Sequence, residues 1–137
     1  MNTIELPAIM ENLDVSIDFL INGIEKAGID KKTIYQLRLA CEEVIVNVIN
    51  YAYPNHQGNV TISYELSEDK CDLVILISDS GVPFNPLEKA EPDINLPIEE
   101  RQIGGLGIFM VRNIMDTVEY IRQDGSNILT LTKALIK

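Results

Sequence analysis

The sequence predicts an α+β fold, a two-layer sandwich in which helices cover one face of a mixed, mainly antiparallel sheet. Apolar residues recur at helical spacing in residues 9–53 and 106–116, while runs rich in β-branched residues lie in residues 58–78 and 117–134. At 137 residues, the chain is long enough to form one domain with its own core. We therefore expect a single domain over residues 1–137.

Each predicted element has its own signal in the sequence. In chain order, we expect a strand over residues 2–6, helices over 9–27 and 30–53, strands over 58–66 and 71–78, a helix over 106–116, and strands over 117–123 and 127–134. Gly28 ends the first helix and Pro54 ends the second, because both residues disfavour a continued helix. The polar run SEDK joins the second and third strands as a hairpin, and Asp124-Gly125 turns the chain between the last two.

A long irregular segment, Val82–Ile103, separates the third strand from the last helix. It contains Pro83, Pro86, Pro92 and Pro97 and has no helical or strand period. Connections of this length inside a compact domain are uncommon unless they have a function, such as covering a binding site. We therefore expect this segment to take part in function.

Charge and composition argue against several classes of protein. The net charge of −10 disfavours direct binding to nucleic acid or to an anionic membrane. No apolar run reaches the length of a membrane span, and the N-terminus shows no secretion signal. The two cysteines form no CxxC pair, and the single histidine, His56, lies in a turn-like stretch where we expect a solvated loop residue. These features predict a cytoplasmic protein.

The first candidate for chemistry lies in CEEVIVNVINYAYP, residues 41–54. Glu43 and Asn47 are four residues apart, so a helix places both on one face, and Tyr51 extends that face. Asn47 has apolar neighbours, and a buried amide needs a hydrogen-bond partner. Glu43 and Asn47 could orient a water molecule and hold a hard cation such as Mg²⁺. Alternatively, Asn47 bonds a neighbouring backbone group while Glu42 and Glu43 face solvent.

The second candidate is Asp79-Ser80-Gly81, directly after the apolar run LVILI. A carboxylate only accepts hydrogen bonds, so Asp79 could receive the exocyclic amino group of an adenine. Gly81 has no Cβ and would let the backbone approach a flat ring. The alternative is a plain turn at the end of a strand, because all three residues favour turns.

The third candidate is IGGLGIFMVRNIMD, residues 103–116. Gly104, Gly105 and Gly107 open the predicted helix, whose free N–H groups could receive phosphate. The run is not a GxGxxG motif, because Met110 stands where the third glycine would be, and no Gly-Lys-Ser/Thr of a P-loop occurs. A flexible junction at the end of a loop is the alternative.

The three candidates together carry a family resemblance. Glu43-x-x-x-Asn47, Asp79-x-Gly81 and Gly105-x-Gly107 occur in the order of the N, G1 and G2 boxes. In this the chain resembles the GHKL (Bergerat) ATP-binding fold of DNA gyrase, histidine kinases and MutL proteins. It is most similar to the small anti-sigma-factor serine kinases, such as the sporulation and general-stress anti-sigma factors of bacilli. The resemblance runs from NLDVSIDFL to the closing LTLTK.

The resemblance implies a role for each matching residue. Glu43 corresponds to the family's general base, and Asn47 to the Mg²⁺ ligand that also contacts ATP. Asp79 would read adenine with Gly81 beside the ring. The ATP lid would be the segment over about residues 82–103. The residues expected at the phosphates are Gly104, Gly105, Leu106, Gly107 and Ile108.

The function implied is that of an ATP- and Mg²⁺-dependent serine/threonine protein kinase. Its partners would be an anti-anti-sigma (STAS-type) protein, a sigma factor, or both, and a homodimer is compatible with this role. The alternative is a nucleotide-gated binding module that sequesters a regulator without phosphotransfer, or an ATP-binding accessory protein with another partner. Retention of Glu43 favours the kinase, because binding alone needs no base. Other members of the superfamily fit less well. A histidine kinase would need a phosphoacceptor helix, and no histidine is available for one. DNA gyrase and MutL proteins need further domains for their work on DNA.

Four departures from the family pattern are visible. Tyr51 replaces a frequent histidine, from which we expect little consequence, and Pro83 replaces a common glycine, which would stiffen the lid hinge. Ser126-Asn127 replaces a frequent Gly-Thr, so no ligand contact is assigned there. The predicted first helix has no arginine, so no basic contact to a sigma factor can be transferred.

Overall fold

The structure, a computed structural model, describes residues 1–88 and 105–135. In chain order, its elements are β1 (Asn2–Pro7), a 3₁₀ turn (Met10–Asn12), α1 (Leu13–Glu25), α2 (Lys31–Tyr51), β2 (Asn59–Leu66), β3 (Asp72–Asp79), a second 3₁₀ turn (Pro86–Glu88), α3 (Gly105–Ile114), β4 (Thr117–Gln123) and β5 (Ser126–Ala134). The five strands form one sheet in the order β1-β2-β3-β5-β4. The predicted α+β class is confirmed. All four pairings of these strands are antiparallel, whereas we expected a mixed sheet.

The helix boundaries differ from the predicted ones for local reasons. Helix α1 begins at Leu13 rather than at residue 9, because Ile9 has an extended backbone and the Asn12 amide donates to the carbonyl of Pro7 at 2.9 Å. Helix α2 begins as predicted, since the Asp30 carboxylate caps it by accepting from the N–H of Thr33 at 3.1 Å. It ends at Tyr51, two residues earlier than predicted, since the residue before Pro54 is kept out of helical geometry.

One apolar core lies between the helices and one face of the sheet. On β3 the buried side chains alternate, and Leu73, Ile75 and Ile77 are all 2% exposed or less. Asp79 is the next residue in this alternation and is 8% exposed. The same sheet geometry that buries the isoleucines therefore turns the carboxylate of Asp79 towards the helices.

None of the helices in the described ranges is both long and apolar enough to cross a bilayer. Most of the predicted Val82–Ile103 segment, and Gly104 after it, lie outside the described residues. The part that is described, Val82–Glu88, contains the second 3₁₀ turn.

Candidate functional site

Asn47 lies on the face of α2 that meets the sheet. It is 6% exposed and, with Val44 and Val48, lines a cavity under the helix. None of the hydrogen bonds between described residues involves its amide, and the amide is not left unsatisfied in a fully enclosed position, since it borders the cavity. The alternative of an amide satisfied by a neighbouring backbone group is therefore not seen in these ranges. A buried amide that still has hydrogen-bonding capacity is suited to a ligand or a hydrated cation.

Asp79 faces the same cavity from the end of β3. Its Oδ1 atom accepts a hydrogen bond from the N–H of Gly81 and another from the Nδ2 of Asn127, each at 2.9 Å. A carboxylate oxygen has two lone pairs, so these bonds use the acceptor capacity of Oδ1. The second oxygen, Oδ2, is the one left for a ligand.

The turn after Asp79 is held by the C-terminal end of α2. The Ala52 carbonyl accepts from the N–H of Val82 at 2.9 Å, and the Tyr53 hydroxyl accepts from the N–H of Ser80 at 2.9 Å. A Cβ at Gly81 would overlap the Ala52 carbonyl. Close packing against α2 is therefore one physical reason for a glycine at this position, and contact with a base stays a prediction.

Burial of Tyr53 accompanies this bracing. Its hydroxyl donates to the carbonyl of Asn59 at 2.6 Å, in addition to accepting from Ser80. Partial burial raises the pKa of the Tyr53 phenol above its ordinary value. The hydroxyl is thus held in its protonated form between the backbone N–H of Ser80 and the backbone carbonyl of Asn59.

The third candidate motif packs against the first. A Cβ at Gly107, in the first turn of α3, would overlap the carboxylate of Glu43 on α2. Only glycine leaves room for that carboxylate at the helix start. Helix α3 begins at Gly105 and includes Leu106, whereas Ile108 is 3% exposed and belongs to the core. The backbone of Ile108 is therefore the part that could reach a phosphate.

Two of the three candidate motifs line one cavity, through Asn47 and Asp79. Its empty volume, including the opening to solvent, is about 330 Å³. The lining is mostly apolar, with three polar side chains, and consists of Val44, Asn47, Val48, Ile77, Asp79, Phe84, Pro86, Tyr120, Asn127 and Leu129. An apolar cleft with a few convergent polar groups is typical of small-molecule sites. Below, Asp79, Gly81 and Asn127 are called the sheet side of the site, and Glu43, Asn47 and Gly107 the helix side.

Asn127 is a site residue that the sequence reasoning missed, since no contact was assigned to it. It is 5% exposed and pairs with Asp79 across β3 and β5. Its Nδ2 donates to Asp79 and, at 2.8 Å, to the carbonyl of Val82. Its Oδ1 accepts from the N–H of Phe84 at 3.2 Å and from the Tyr120 hydroxyl at 2.5 Å. The available signal was its position in phase with inward-facing leucines on β5.

Two arginines and an aromatic pair hold the described start of the 82–103 segment. Arg122 donates to the carbonyl of Gly81 at 2.8 Å, and Arg112 donates to the carbonyl of Leu87 at 3.1 Å. The rings of Tyr51 and Phe84 stack with centroids 5.2 Å apart. Tyr51, from which we expected little consequence, thus contacts the segment directly.

The described part of the chain contains no group of three or more His, Cys, Asp or Glu side chains that could hold a metal ion. His56, predicted as a loop residue, is exposed and bonds the carbonyl of Gln57.

Comparison with known families agrees with this geometry. Residues 6–133 match the family described as the histidine kinase-like ATPase domain. The chain therefore belongs to the family of histidine kinase-like ATPase domains.

Within that family, the chain is similar to proteins named serine-protein kinase RsbW. It is 30% identical over 133 residues to the protein of Listeria innocua serovar 6a, covering 93% of this chain and 83% of the relative. It is 29% identical over 129 residues to that of Bacillus cereus (strain ATCC 10987 / NRS 248), covering 91% of this chain and 79% of the relative. These similarities place the chain among the serine-protein kinases of the family.

Solved structures support the fold. The RsbU and RsbW domains of a Mycobacterium tuberculosis protein match with a TM-score of 0.64 and 15% identity, over 98% of this chain and 33% of that one. The histidine kinase domain of a blue-light activated histidine kinase from Erythrobacter litoralis matches with a TM-score of 0.59 and 15% identity, over 90% of this chain and 61% of that one.

Proposed function

We propose that the chain is an ATP-dependent serine/threonine protein kinase of the anti-sigma type. It would bind Mg²⁺-ATP and phosphorylate a serine or threonine of an anti-anti-sigma (STAS-type) partner, thereby regulating a sigma factor. The observation that carries the proposal is that Asn47 and Asp79, from two motifs far apart in sequence, line one cavity, while Gly107 of the third motif packs on Glu43, one helical turn before Asn47.

The sheet side is suited to a nucleobase. Asp79 presents an acceptor at the end of an apolar cleft, which suits the amino group of adenine, whereas guanine carries a carbonyl at that position. An apolar lining matches the faces of a purine ring. The sheet side would therefore select ATP over GTP.

The helix side is suited to phosphates and to proton transfer. Asn47 provides an amide oxygen for Mg²⁺, which would neutralise charge on the phosphate oxygens when bound. Gly107, in the first turn of α3, packs against Glu43, and the N-terminal end of a helix favours negative charge nearby. Gly104, Gly105 and Leu106 would contribute to this contact through their backbone.

Glu43 would be the catalytic base. During transfer, a bond forms between the partner's hydroxyl oxygen and the γ-phosphorus while the bond from that phosphorus to the β,γ-bridging oxygen breaks, releasing ADP. The hydroxyl proton passes to the Glu43 carboxylate. Positioning and charge neutralisation would supply most of the rate increase.

The proposed partners act in the cytoplasm, which is where we place the protein. Its two thiols are unpaired, with Cys41 buried and Cys71 exposed. Burial raises the pKa of Cys41 to about 12, so this thiol is inert at neutral pH. Both cysteines are thus compatible with a reducing compartment.

The decisive experiment is phosphotransfer from ATP labelled at the γ-phosphate. The protein is incubated with Mg²⁺ and purified STAS-type candidate partners, and label on serine or threonine of the partner is followed. We expect Mg²⁺-dependent transfer to one candidate. ATP binding without transfer to any candidate would instead favour a nucleotide-gated binding module, and failure to bind ATP would contradict the proposed site.

A further inference from the structure

Asn127 lies at the centre of the sheet side and is fully bonded. Its amide group donates to Asp79 Oδ1 and the Val82 carbonyl, and its Oδ1 accepts from the Phe84 N–H and the Tyr120 hydroxyl. An asparagine side chain has two N–H donors and one acceptor oxygen with two lone pairs. These four bonds therefore use its whole hydrogen-bonding capacity.

The partners allow only one orientation of the Asn127 amide. A rotation by half a turn would place Nδ2 against the N–H of Phe84, and Oδ1 against the carboxylate of Asp79 and the carbonyl of Val82. Each of those contacts would join donor to donor or acceptor to acceptor in a buried place, where unpaired polar groups are costly. The amide is thus fixed with its nitrogen towards Asp79.

The fixed amide determines the position of the Asp79 carboxylate. Asn127 and the Gly81 N–H hold Oδ1 from two directions at 2.9 Å, which leaves Oδ2 as the oxygen that can accept from a ligand. Asn127 lies opposite Asp79 in the register of β3 and β5, so both ends of this bond are anchored by a rigid sheet.

We infer that Asn127 is a positioning residue that sets the base preference of the site by fixing the Asp79 carboxylate. This inference rests on the proposed function, since it assumes that Asp79 reads the base. A single well-placed acceptor discriminates between bases only while it cannot move, because a mobile carboxylate could turn away from a repelling carbonyl. Asn127 would thereby affect selectivity without touching the nucleotide.

The test is a double-mutant cycle read out as base preference. The dissociation constants of ATP and GTP are measured for wild type, Asn127→Ala, Asp79→Asn and the double variant. We expect wild type to prefer ATP and Asn127→Ala to reduce that preference about tenfold, the lower range for a hydrogen bond to a charged group. In the Asp79→Asn background, Asn127→Ala should change the preference by less than about twofold, because interacting residues are not additive.

A merely structural Asn127 would lower stability while leaving the ratio of the two constants unchanged, and that result would overturn the inference. An equal change in both Asp79 backgrounds would overturn it as well. Asn113→Ala removes an exposed amide that bonds the Phe109 carbonyl at 3.1 Å, and it should leave the ratio unchanged.

Tyr120→Phe keeps the inference testable if Asn127→Ala does not fold. It removes only the hydroxyl that donates to Asn127 and keeps the ring. We expect it to reduce the preference for ATP by about two- to threefold, as loss of one neutral hydrogen bond next to the carboxylate would. An unchanged ratio in Tyr120→Phe would contradict the inference.

If wild type binds no ATP, the proposed function fails and the inference fails with it. If wild type prefers ATP and the variants keep the same preference, the inference alone is contradicted.

Discussion

Asn47 and Asn127 face one cavity from opposite layers and are almost equally buried, with 6% and 5% of their surfaces exposed. Their surroundings differ. Asn127 makes four hydrogen bonds within the protein, whereas no residue in the described ranges bonds the Asn47 amide. On the sheet side, Asn127 is therefore fully bonded without a ligand and holds Oδ1 of Asp79 in place, whereas Asn47 on the helix side keeps its capacity for a ligand.

This difference separates two requirements of a nucleotide site. Discrimination between bases needs acceptors that are already fixed, because a group that reorganises can adapt to the wrong base. Binding of metal and phosphate needs polar groups whose bonds are made only when the ligand arrives. Substitutions on the sheet side should therefore reduce stability and selectivity, and those on the helix side should reduce activity while leaving stability nearly unchanged.

Glu43→Gln should show the largest effect. The amide keeps the shape of the side chain but cannot accept the hydroxyl proton, so phosphotransfer should fall by about 10²–10⁴-fold, the usual contribution of a general base. ATP affinity and unfolding free energy should stay close to those of wild type. Transfer is measured with labelled ATP, binding by titration and stability by urea denaturation.

Glu42→Gln is the matched control for this prediction. It removes the same charge one residue away on α2, and we expect only a mild effect on transfer. Equal losses in both variants would assign the effect to charge near the site rather than to proton transfer at Glu43.

Gly107→Ala should show the next largest effect. The added methyl group takes the place of the Glu43 carboxylate, which lies at the end of a flexible side chain and can move aside. Displacing a reacting group by about 1 Å can reduce the rate by about 10²-fold. Alanine is also the better helix former, so the unfolding free energy should stay within about 1 kcal/mol of wild type. Asn113→Ala, on the same helix, should change neither quantity appreciably. Full transfer by Gly107→Ala would show that Glu43 need not contact the start of α3.

The two asparagines can be compared directly by their alanine variants. Asn127→Ala removes four hydrogen bonds, one of them to the buried carboxylate of Asp79, and should lower the unfolding free energy by about 2–3 kcal/mol. Asn47→Ala breaks no bond with another described residue and should leave it nearly unchanged, while weakening Mg²⁺-dependent ATP binding by about tenfold or more. Urea denaturation and ATP titration with and without Mg²⁺ measure both. Similar destabilisation by the two variants would contradict the difference between the two sides.

The sequence predicted most of the fold because apolar residues recur at clear helical spacing in the helices and form short runs rich in β-branched residues in the strands. The short apolar run LVILI predicted β3, and the helical spacing of apolar positions in α1 and α2 predicted the helices. Boundaries were less accurate where single side chains decide them: the Asn12 amide, which bonds the Pro7 carbonyl, delays the start of α1. The single-domain prediction and the roles of the individual site residues stay predictions.

The candidate site was predicted in part. Glu43, Asn47 and Asp79 were found because each belongs to a short motif with a fixed spacing. Asn127 was missed because three of its four bonds join residues 43 to 48 positions apart, and no local pattern carries such contacts. Its one sequence signal was a polar residue in phase with the leucines of β5, whereas Asp79 was identified by the motif Asp79-Ser80-Gly81 after an apolar run.

Tyr53→Phe should show the smallest effect and tests whether α2 braces the sheet side. The hydroxyl accepts from Ser80 and donates to Asn59, so its loss should lower the unfolding free energy by about 1 kcal/mol at neutral pH.

Burial raises the pKa of Tyr53, so the folded protein holds the phenolic proton more tightly than the unfolded chain. The stabilisation from this proton is therefore complete below the ordinary pKa of about 10 and is lost as the pH rises through and beyond it. Wild type should therefore lose its advantage over Tyr53→Phe in urea denaturation as the pH rises through and beyond about 10. Tyr35→Phe, at a position on α2 that is 62% exposed, is the control and should leave the unfolding free energy nearly unchanged. If the difference between wild type and Tyr53→Phe were independent of pH, the hydroxyl would not be held as described, and the bracing of the Asp79 turn would depend on the Ala52 carbonyl instead.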